Sequence, residues 1–341
     1  MNIYFAPMEG ITGYLFRNAF EKTFPGIITK YYAPFISSGV RKGVAGKDLK
    51  QLSPDNNLGI CLVPQLLTND PADFENAALV LRDLGYEEIN LNLGCPSQTV
   101  VSKNRGAGLL ADPDRLDSFL EKASDFSVQN NIRLSVKTRL GFSDTQEFPV
   151  ILGIYEKYPL SELIIHLRLR TDYYKLPCHT ECFDYAVENS GHRLVYNGDI
   201  CSRKDVECIA QHYPGIGSVM IGRGFLKDPC MLYDPDKTSE FETAGNGAEN
   251  AGTGTAEISG IDRSQKLWQF HNLLYASFKE EMSGQRNVLF KMKEIWSYMN
   301  ESFDQGETDQ GRKNKKAFKQ IKKSQNLSDY EGAIHILRSA I

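Results

Sequence analysis

Short apolar runs recur through the first 235 residues, separated by longer stretches in which apolar positions return at helical spacing. The runs are Ile3–Phe5, Ile27–Tyr31, Ile60–Pro64, Glu88–Leu93, Arg133–Val136, Glu162–Ile165, Arg193–Tyr196 and Ser218–Ile221. Most are too short and too uniformly apolar for amphipathic helices, and they suit strands buried on both faces. Asp70-Pro71 opens a helix predicted to run to Leu84 and stop at Gly85, with Pro inside the start and Gly past the end. Asp112-Pro113 opens another, to about Gln129, and Ser202 begins a third that ends at His212, before Pro214-Gly215.

Eight strands alternating with helices predict a (β/α)₈ TIM barrel over residues 1–235. A doubly wound open sheet is the alternative. The barrel is favoured by the residues at or just past each strand's end: Ala6-Pro7-Met8, Gln65, Asn92 with Cys95, Lys137 with Arg139, His166, Asn197 with Asp199, and Gly222-Arg223. Barrel active sites are built at the C-terminal ends of the strands, whereas an open sheet gathers such groups at one switch point.

Beyond Pro235 the pattern changes. Residues 236–262 read as a flexible linker, rich in Gly, Ala, Thr, Glu and Asn and nearly without large apolar residues. Residues 263–341 predict a small all-helical domain, with helices at Arg263–Met282, Val288–Phe303 and Tyr330–Leu337 and a basic run at Arg312–Lys323.

Charge alters this picture. The chain as a whole carries a net −4, which is not that of a nucleic-acid binder. From Arg263 onward, however, 14 Lys and Arg stand against 9 Asp and Glu. Such asymmetry between parts of a chain points to a polyanionic partner for the basic part. Seven Cys without regular spacing argue for a reducing compartment over a disulfide scaffold. Without an N-terminal leader pattern or a long apolar stretch, a cytoplasmic protein with no membrane span is expected.

The densest chemical signal is Asn90-Leu91-Asn92-Leu93-Gly94-Cys95-Pro96-Ser97. A strand ends, Gly94 allows a tight turn, and the next residue is a thiol that can act as a nucleophile or exchange a proton. A free cysteine is otherwise a small buried hydrophobe. Lys137 ends an apolar strand, where an unpaired ammonium is costly, so a partner or anionic ligand is implied. Asn197-Gly198-Asp199 and Gly222-Arg223-Gly224 come after the last two strands, where barrels often bind phosphate. Gly106-Ala107-Gly108 is either a close approach to the next helix or a lid beside the site. Cys178-His179 with Cys182 lacks the second half of a metal site, so no metal is expected.

Taken together, these segments resemble the tRNA-dihydrouridine synthase family. The resemblance rests on Ala6-Pro7-Met8-Glu9-Gly10-Ile11-Thr12, Gln65, Asn92-Leu93-Gly94-Cys95-Pro96, Gly106-Ala107-Gly108-Leu109-Leu110, Val136-Lys137-Thr138-Arg139-Leu140-Gly141, His166 with Arg168, Asn197-Gly198-Asp199-Ile200 and Met220-Ile221-Gly222-Arg223-Gly224. It implies an FMN-dependent reduction of a tRNA uridine, recharged by NADPH. By that resemblance Ala6, Pro7 and Met8 line the flavin, and Gln65, Lys137 and His166 meet its polar edge and ribityl chain. Asn197, Asp199, Gly222 and Arg223 take the ribityl and phosphate end. Cys95 is the general acid, and Asn92, Arg139 and Arg168 face the substrate. Lys291, Lys293 and the run Arg312–Lys323 are the expected tRNA-backbone contacts; no DNA partner is expected, and a monomer is. The segment after His166 departs from the family pattern: it carries two arginines, Arg168 and Arg170, where one is usual, and Tyr173-Tyr174-Lys175 replaces a glycine-bearing stretch. Two other readings compete. One is a flavin barrel reducing a free small molecule, as dihydroorotate dehydrogenases do. The other is a tRNA-binding or chaperone-like protein.

Overall fold

The computed structural model describes residues 1–37, 46–234, 263–303 and 306–339. The expected linker, 236–262, lies outside the described residues. Among the described residues ten strands pair in parallel in one sheet: β1 (Asn2–Phe5), β2 (Lys30–Tyr32), β3 (Ile36–Ser37), β4 (Leu62–Val63), β5 (Gln65–Leu67), β6 (Glu88–Leu93), β7 (Arg133–Arg139), β8 (Leu163–His166), β9 (Leu194–Asn197) and β10 (Ser218–Ile221). Their order is β3-β5-β6-β7-β8-β9-β10-β1-β2-β4.

Ten strands make eight barrel staves, because two staves are interrupted. Pro34 separates β2 from β3, and Pro64 separates β4 from β5. Proline has no N–H to give to a ladder, so regular pairing lapses there. The chain nonetheless continues: β2 pairs with β4 and β3 with β5, while Ala33 N–H donates to Val63 O at 3.0 Å and Asn90 N–H to Pro64 O at 2.9 Å. The two ends of the sheet order are thus the same two staves, and the sheet closes on itself.

Side chains two apart on a strand share a face. One face fills the barrel in layers. Tyr4, Ala6, Tyr32, Val63, Ile164, Val195 and Met220 form its apolar middle. At the strand beginnings, Glu162 accepts from Tyr4 Oη (2.6 Å), Tyr32 Oη (3.0 Å) and Lys30 Nζ (3.0 Å), and Lys30 also donates to Glu88 (2.8 Å). The opposite ends of the strands hold the polar groups of the candidate site.

Helix starts obey the sequence signals. Asp70 caps Pro71–Asp83, its carboxylate accepting from the N–H of Ala72 and Asp73, and Asp112 caps Pro113–Gln129 through Arg115 N–H. The basic run, expected only as charge, forms a helix at Asp309–Lys323. Thr308 caps it, Ala317, Phe318 and Ile321 are buried, and its lysines are exposed.

The chain divides into two compact units. The first comprises Met1–Asn18, Ile28–Ile200 and Lys204–Gly222, and the second Ala19–Ile27, Cys201–Arg203 and Arg223–Ile341. The second therefore starts earlier than residue 263. Its core explains why: Phe20 and Phe24, late in the helix Tyr14–Thr23, pack their rings against Phe225, Tyr233 and Phe270. Buried aromatic surface, not chain order, sets the boundary. Deeper in this unit His271 Nε2 lies 2.7 Å from Tyr330 Oη, and burial pushes its pKa down to about 4, so it is a neutral core residue. Among the described residues no helix is long and apolar enough to cross a membrane.

Candidate active site

The strand ends of the first unit carry the polar set expected from the sequence, but the strands run further than predicted. Lys137 and Arg139 lie within β7, and His166 and Asn197 are the last residues of β8 and β9. Polar side chains that point into the barrel do not end a strand, because the backbone ladder is indifferent to them. Register aligns the set: Asn92 pairs with Lys137, Arg139 with His166, and His166 with Asn197.

Cys95 is held from several sides. Asn92 Oδ1 accepts from the N–H of Gly94 (3.1 Å) and of Cys95 (2.9 Å), and its amide donates to Gln65 Oε1 (2.8 Å). Gln65 in turn donates to Asn90 Oδ1 (2.7 Å), and Asn90 to Ser135 Oγ (3.0 Å). Ala107 N–H donates to Cys95 O at 3.1 Å. The Gly106–Ala111 segment is buried from Gly106 to Leu110, so it is a packed support and not a lid. Only glycine fits at 106, which has φ +54° and where a Cβ would come 2.9 Å from Cys95 O. Burial pushes the Cys95 thiol above its ordinary pKa, outweighing the opposing effects of the Ser97 backbone hydrogen bond and of Arg139. The group is a neutral thiol at physiological pH, suited to giving a proton.

Lys137 Nζ donates to Asn197 Oδ1 at 2.9 Å, and the Asn197 amide donates to Met220 O at 2.8 Å. Burial, then the neighbouring Arg139 charge, lowers the Lys137 pKa to about 7. Between about pH 7 and the unfolded value of 10.5 the folded chain binds fewer protons, so folding stability rises with pH there and falls as pH drops toward 7. The melting temperature of cofactor-free protein is expected to rise from pH 7 to 9 relative to that of Lys137→Met, which lacks this proton. Parallel pH curves for the two proteins would show that Lys137 keeps an ordinary pKa.

The arginines expected to face substrate are spent on the loops. Arg139 is fully buried, and its three nitrogens donate to the carbonyls of Gly94 (2.9 Å), Leu169 (2.7 Å) and Tyr173 (2.9 Å). Its guanidinium lies 5.1 Å from the centroid of the Tyr174 ring, which stacks on His166. Arg168 is buried and donates to Leu176 O (2.6 Å), to Cys178 Sγ (3.3 Å) and to Asp199 Oδ2 (2.5 Å). Its Nη1 also lies 3.3 Å from His166 Nε2. A guanidinium can only donate, so that pairing makes Nε2 the acceptor and puts the ring proton on Nδ1. These bonds tie both arginines, like Asn92, to the loops of the site. Arg223 opens the helix Arg223–Lys227 in the second unit. Sequence reasoning noted Tyr174 only as a departure from the family pattern and missed Phe142. Neither sits in a motif, and only the tertiary arrangement brings each to an arginine.

Gly222, the last residue of the first unit, marks a cradle. A Cβ there would come 3.2 Å from Ala6 Cβ and 3.5 Å from Met8 Sδ. Small and apolar surface at Ala6, Met8 and Gly222, with Gln65, Lys137 and His166 on other strands at the same end of the barrel, suits a flat heteroaromatic ring with polar edges.

The chain is similar to known proteins. A family model described as "Dihydrouridine synthase (Dus)" matches residues 4–334. A "Probable tRNA-dihydrouridine synthase" of Staphylococcus epidermidis is 29% identical over 249 residues, covering 70% of this chain and 74% of that protein. One of Staphylococcus aureus is 30% identical over 232 residues, covering 66% and 68%. A "Probable tRNA-dihydrouridine synthase 2" of Bacillus subtilis is 28% identical over 235 residues, covering 66% and 69%.

Proposed function

The chain belongs to the dihydrouridine synthase family, and on that premise we propose that it reduces a uridine base of tRNA to 5,6-dihydrouridine in the cytoplasm, with FMN as hydride carrier and NADPH as reductant. The observation that carries this reading is the placement of Cys95, whose backbone N–H donates to Asn92 Oδ1 just past β6, at the same strand ends as the polar groups of β5, β7, β8 and β9.

The residues fit a flavin. Ala6, Pro7, Met8 and Gly222 would line it. Gln65, Lys137 and His166 would hold its polar edges, and Asn197 and Asp199 its ribityl chain. Bound there, FMN supplies a hydride to carbon 6 of uracil. Cys95 gives its proton to carbon 5, completing the addition of two hydrogens across the double bond. Lys137, charged when an anionic group neighbours it, would balance negative charge at the site. Asn92 and Arg139 keep the Cys95 loop in place throughout.

A base in folded tRNA must be turned out to reach such a pocket, and the phosphate backbone needs a basic surface. In the second unit, helices Gln285–Met299 and Asp309–Lys323 bound a groove of about 970 Å³ lined by Lys291, Lys293, Lys315, Lys319 and Lys322, with Phe290 exposed at its edge. Replacing Lys315, Lys319 and Lys322 by Gln is expected to weaken tRNA binding. The slope of log affinity against log salt should fall by about 2 to 3, near one per lost phosphate contact. An unchanged slope would remove this groove from the tRNA interface.

The proposal is tested by incubating the protein with FMN, NADPH and unmodified tRNA, then measuring nucleosides by mass. Uridine converted to a species two hydrogens heavier is the expected result. Unchanged tRNA, with reduction of a free pyrimidine instead, would favour a small-molecule reductase.

A further inference from the structure

We infer that Arg170 is a positioning residue for the Cys95 loop, locking the loops after β6, β7 and β8 to one another across the barrel mouth. The inference rests on the reading of Cys95 as proton donor. The Arg170 guanidinium carbon lies 5.3 Å from the centroid of the Phe142 ring and 5.2 Å from that of Tyr173. One of its nitrogens donates to Gln98 Oε1 at 2.5 Å. Gln98 opens the single turn Gln98–Val101, three residues after Cys95. Three loops therefore meet at one cation.

Each partner is itself fixed. The Glu147 carboxylate accepts from the N–H of Phe142, Ser143 and Asp144 and from Ser143 Oγ, which sets the loop bearing Phe142. Arg170 N–H donates to Gly141 O (3.0 Å) and Thr171 N–H to Phe142 O (3.1 Å), joining that loop to its neighbour. Tyr173 O is held by Arg139, which also holds Gly94 O. The Cys95 loop is thus tied before the thiol by Arg139 and after it by Arg170.

Arg170 Nε is buried with no hydrogen-bond partner. An arginine turned toward water would avoid that loss. Its place between two ring faces instead uses the planar, delocalised cation, which a lysine ammonium cannot reproduce. Proton delivery is sensitive to such anchoring, since a misplacement near 1 Å can lower a rate about 100-fold.

The test compares wild type, Arg170→Met, Arg170→Lys and Gln98→Ala in the full chain, reconstituted with FMN. Flavin reduction by NADPH and the KM for tRNA should stay within about threefold of wild type. The kcat for dihydrouridine formation should fall about 10- to 100-fold in both Arg170 variants. Alkylation of Cys95 by iodoacetamide, read by peptide mass against the exposed Cys208 as internal reference, should quicken several-fold. Unchanged kcat and Cys95 alkylation in Arg170→Met would overturn the inference. So would a rise confined to KM, which would make Arg170 a tRNA contact. Should Arg170→Met fail to fold, Gln98→Ala, at an exposed position, breaks the same link and decides. If wild type itself makes no dihydrouridine, the functional reading fails, and the alkylation comparison still judges the link.

Discussion

Cys95→Ala is expected to lower dihydrouridine formation by about 10²- to 10⁴-fold, the usual range for loss of a positioned acid. NADPH should still reduce the bound flavin in this variant, and tRNA should still bind. The geometry accounts for this division. The thiol hangs from a loop whose backbone is fixed by Asn92 Oδ1, by Arg139 and by Ala107 N–H, and none of these bonds uses the sulfur. Removing the sulfur costs the thiol's hydrogen bond with the Ser97 backbone but keeps these three, so the loop stays in place. Burial holds the thiol above its ordinary pKa, so the proton is present at pH 7. Single-turnover kinetics separates the half-reactions: fast flavin reduction with slow reoxidation by tRNA is the expected pattern. Wild-type reoxidation in Cys95→Ala would mean that water or another side chain delivers the proton.

The second large effect is on stability. Glu162→Ala should destabilise the first unit by about 3 kcal/mol or more. Glu162 stands just before β8, with Lys30 and Glu88 first in β2 and β6. One carboxylate serves the hydroxyls of Tyr4 and Tyr32 and the Lys30 ammonium, and Ser218 Oγ completes the cluster by donating to Tyr4 Oη at 3.1 Å. Burial, then the Glu162 bond, raises the Tyr4 pKa to about 12, so its hydroxyl remains a donor. Truncation strands two buried hydroxyls and leaves Lys30 with Glu88 alone. A lower urea midpoint at unchanged slope is the expected measurement. A loss under about 1 kcal/mol would mean that water replaces the carboxylate. Because the cluster lies at the strand beginnings, away from the Cys95 end, kcat per folded molecule should not change.

Much of the fold was legible in the sequence. The eight apolar runs mark the eight staves because most of these strands are buried on both faces; β6 and β7 alternate, since Asn90, Asn92, Ser135 and Lys137 turn polar groups into the barrel. Asp70-Pro71 and Asp112-Pro113 mark helix starts because capping is local chemistry. What escaped was tertiary. The breaks at Pro34 and Pro64 divide two staves without changing the barrel. Phe20 and Phe24 lie between the first two apolar runs with no local signal to mark them, yet their rings belong to the second unit's core. The family resemblance implies that Asn92, Arg139 and Arg168 face the substrate. Their hydrogen bonds run instead to backbone and neighbouring side chains. A donor's destination depends on loops distant in sequence, and no local pattern encodes it.

Hydride passing from a bound flavin to a tRNA base should be visible in the flavin itself. The most direct measurement is the absorbance of FMN-reconstituted protein under anaerobic conditions, first with limiting NADPH and then with unmodified tRNA. Flavin bands that bleach with NADPH and return with tRNA are expected, one flavin reoxidised for each dihydrouridine formed. Flavin that bleaches but stays reduced when tRNA is added, with no dihydrouridine in the tRNA, would contradict it.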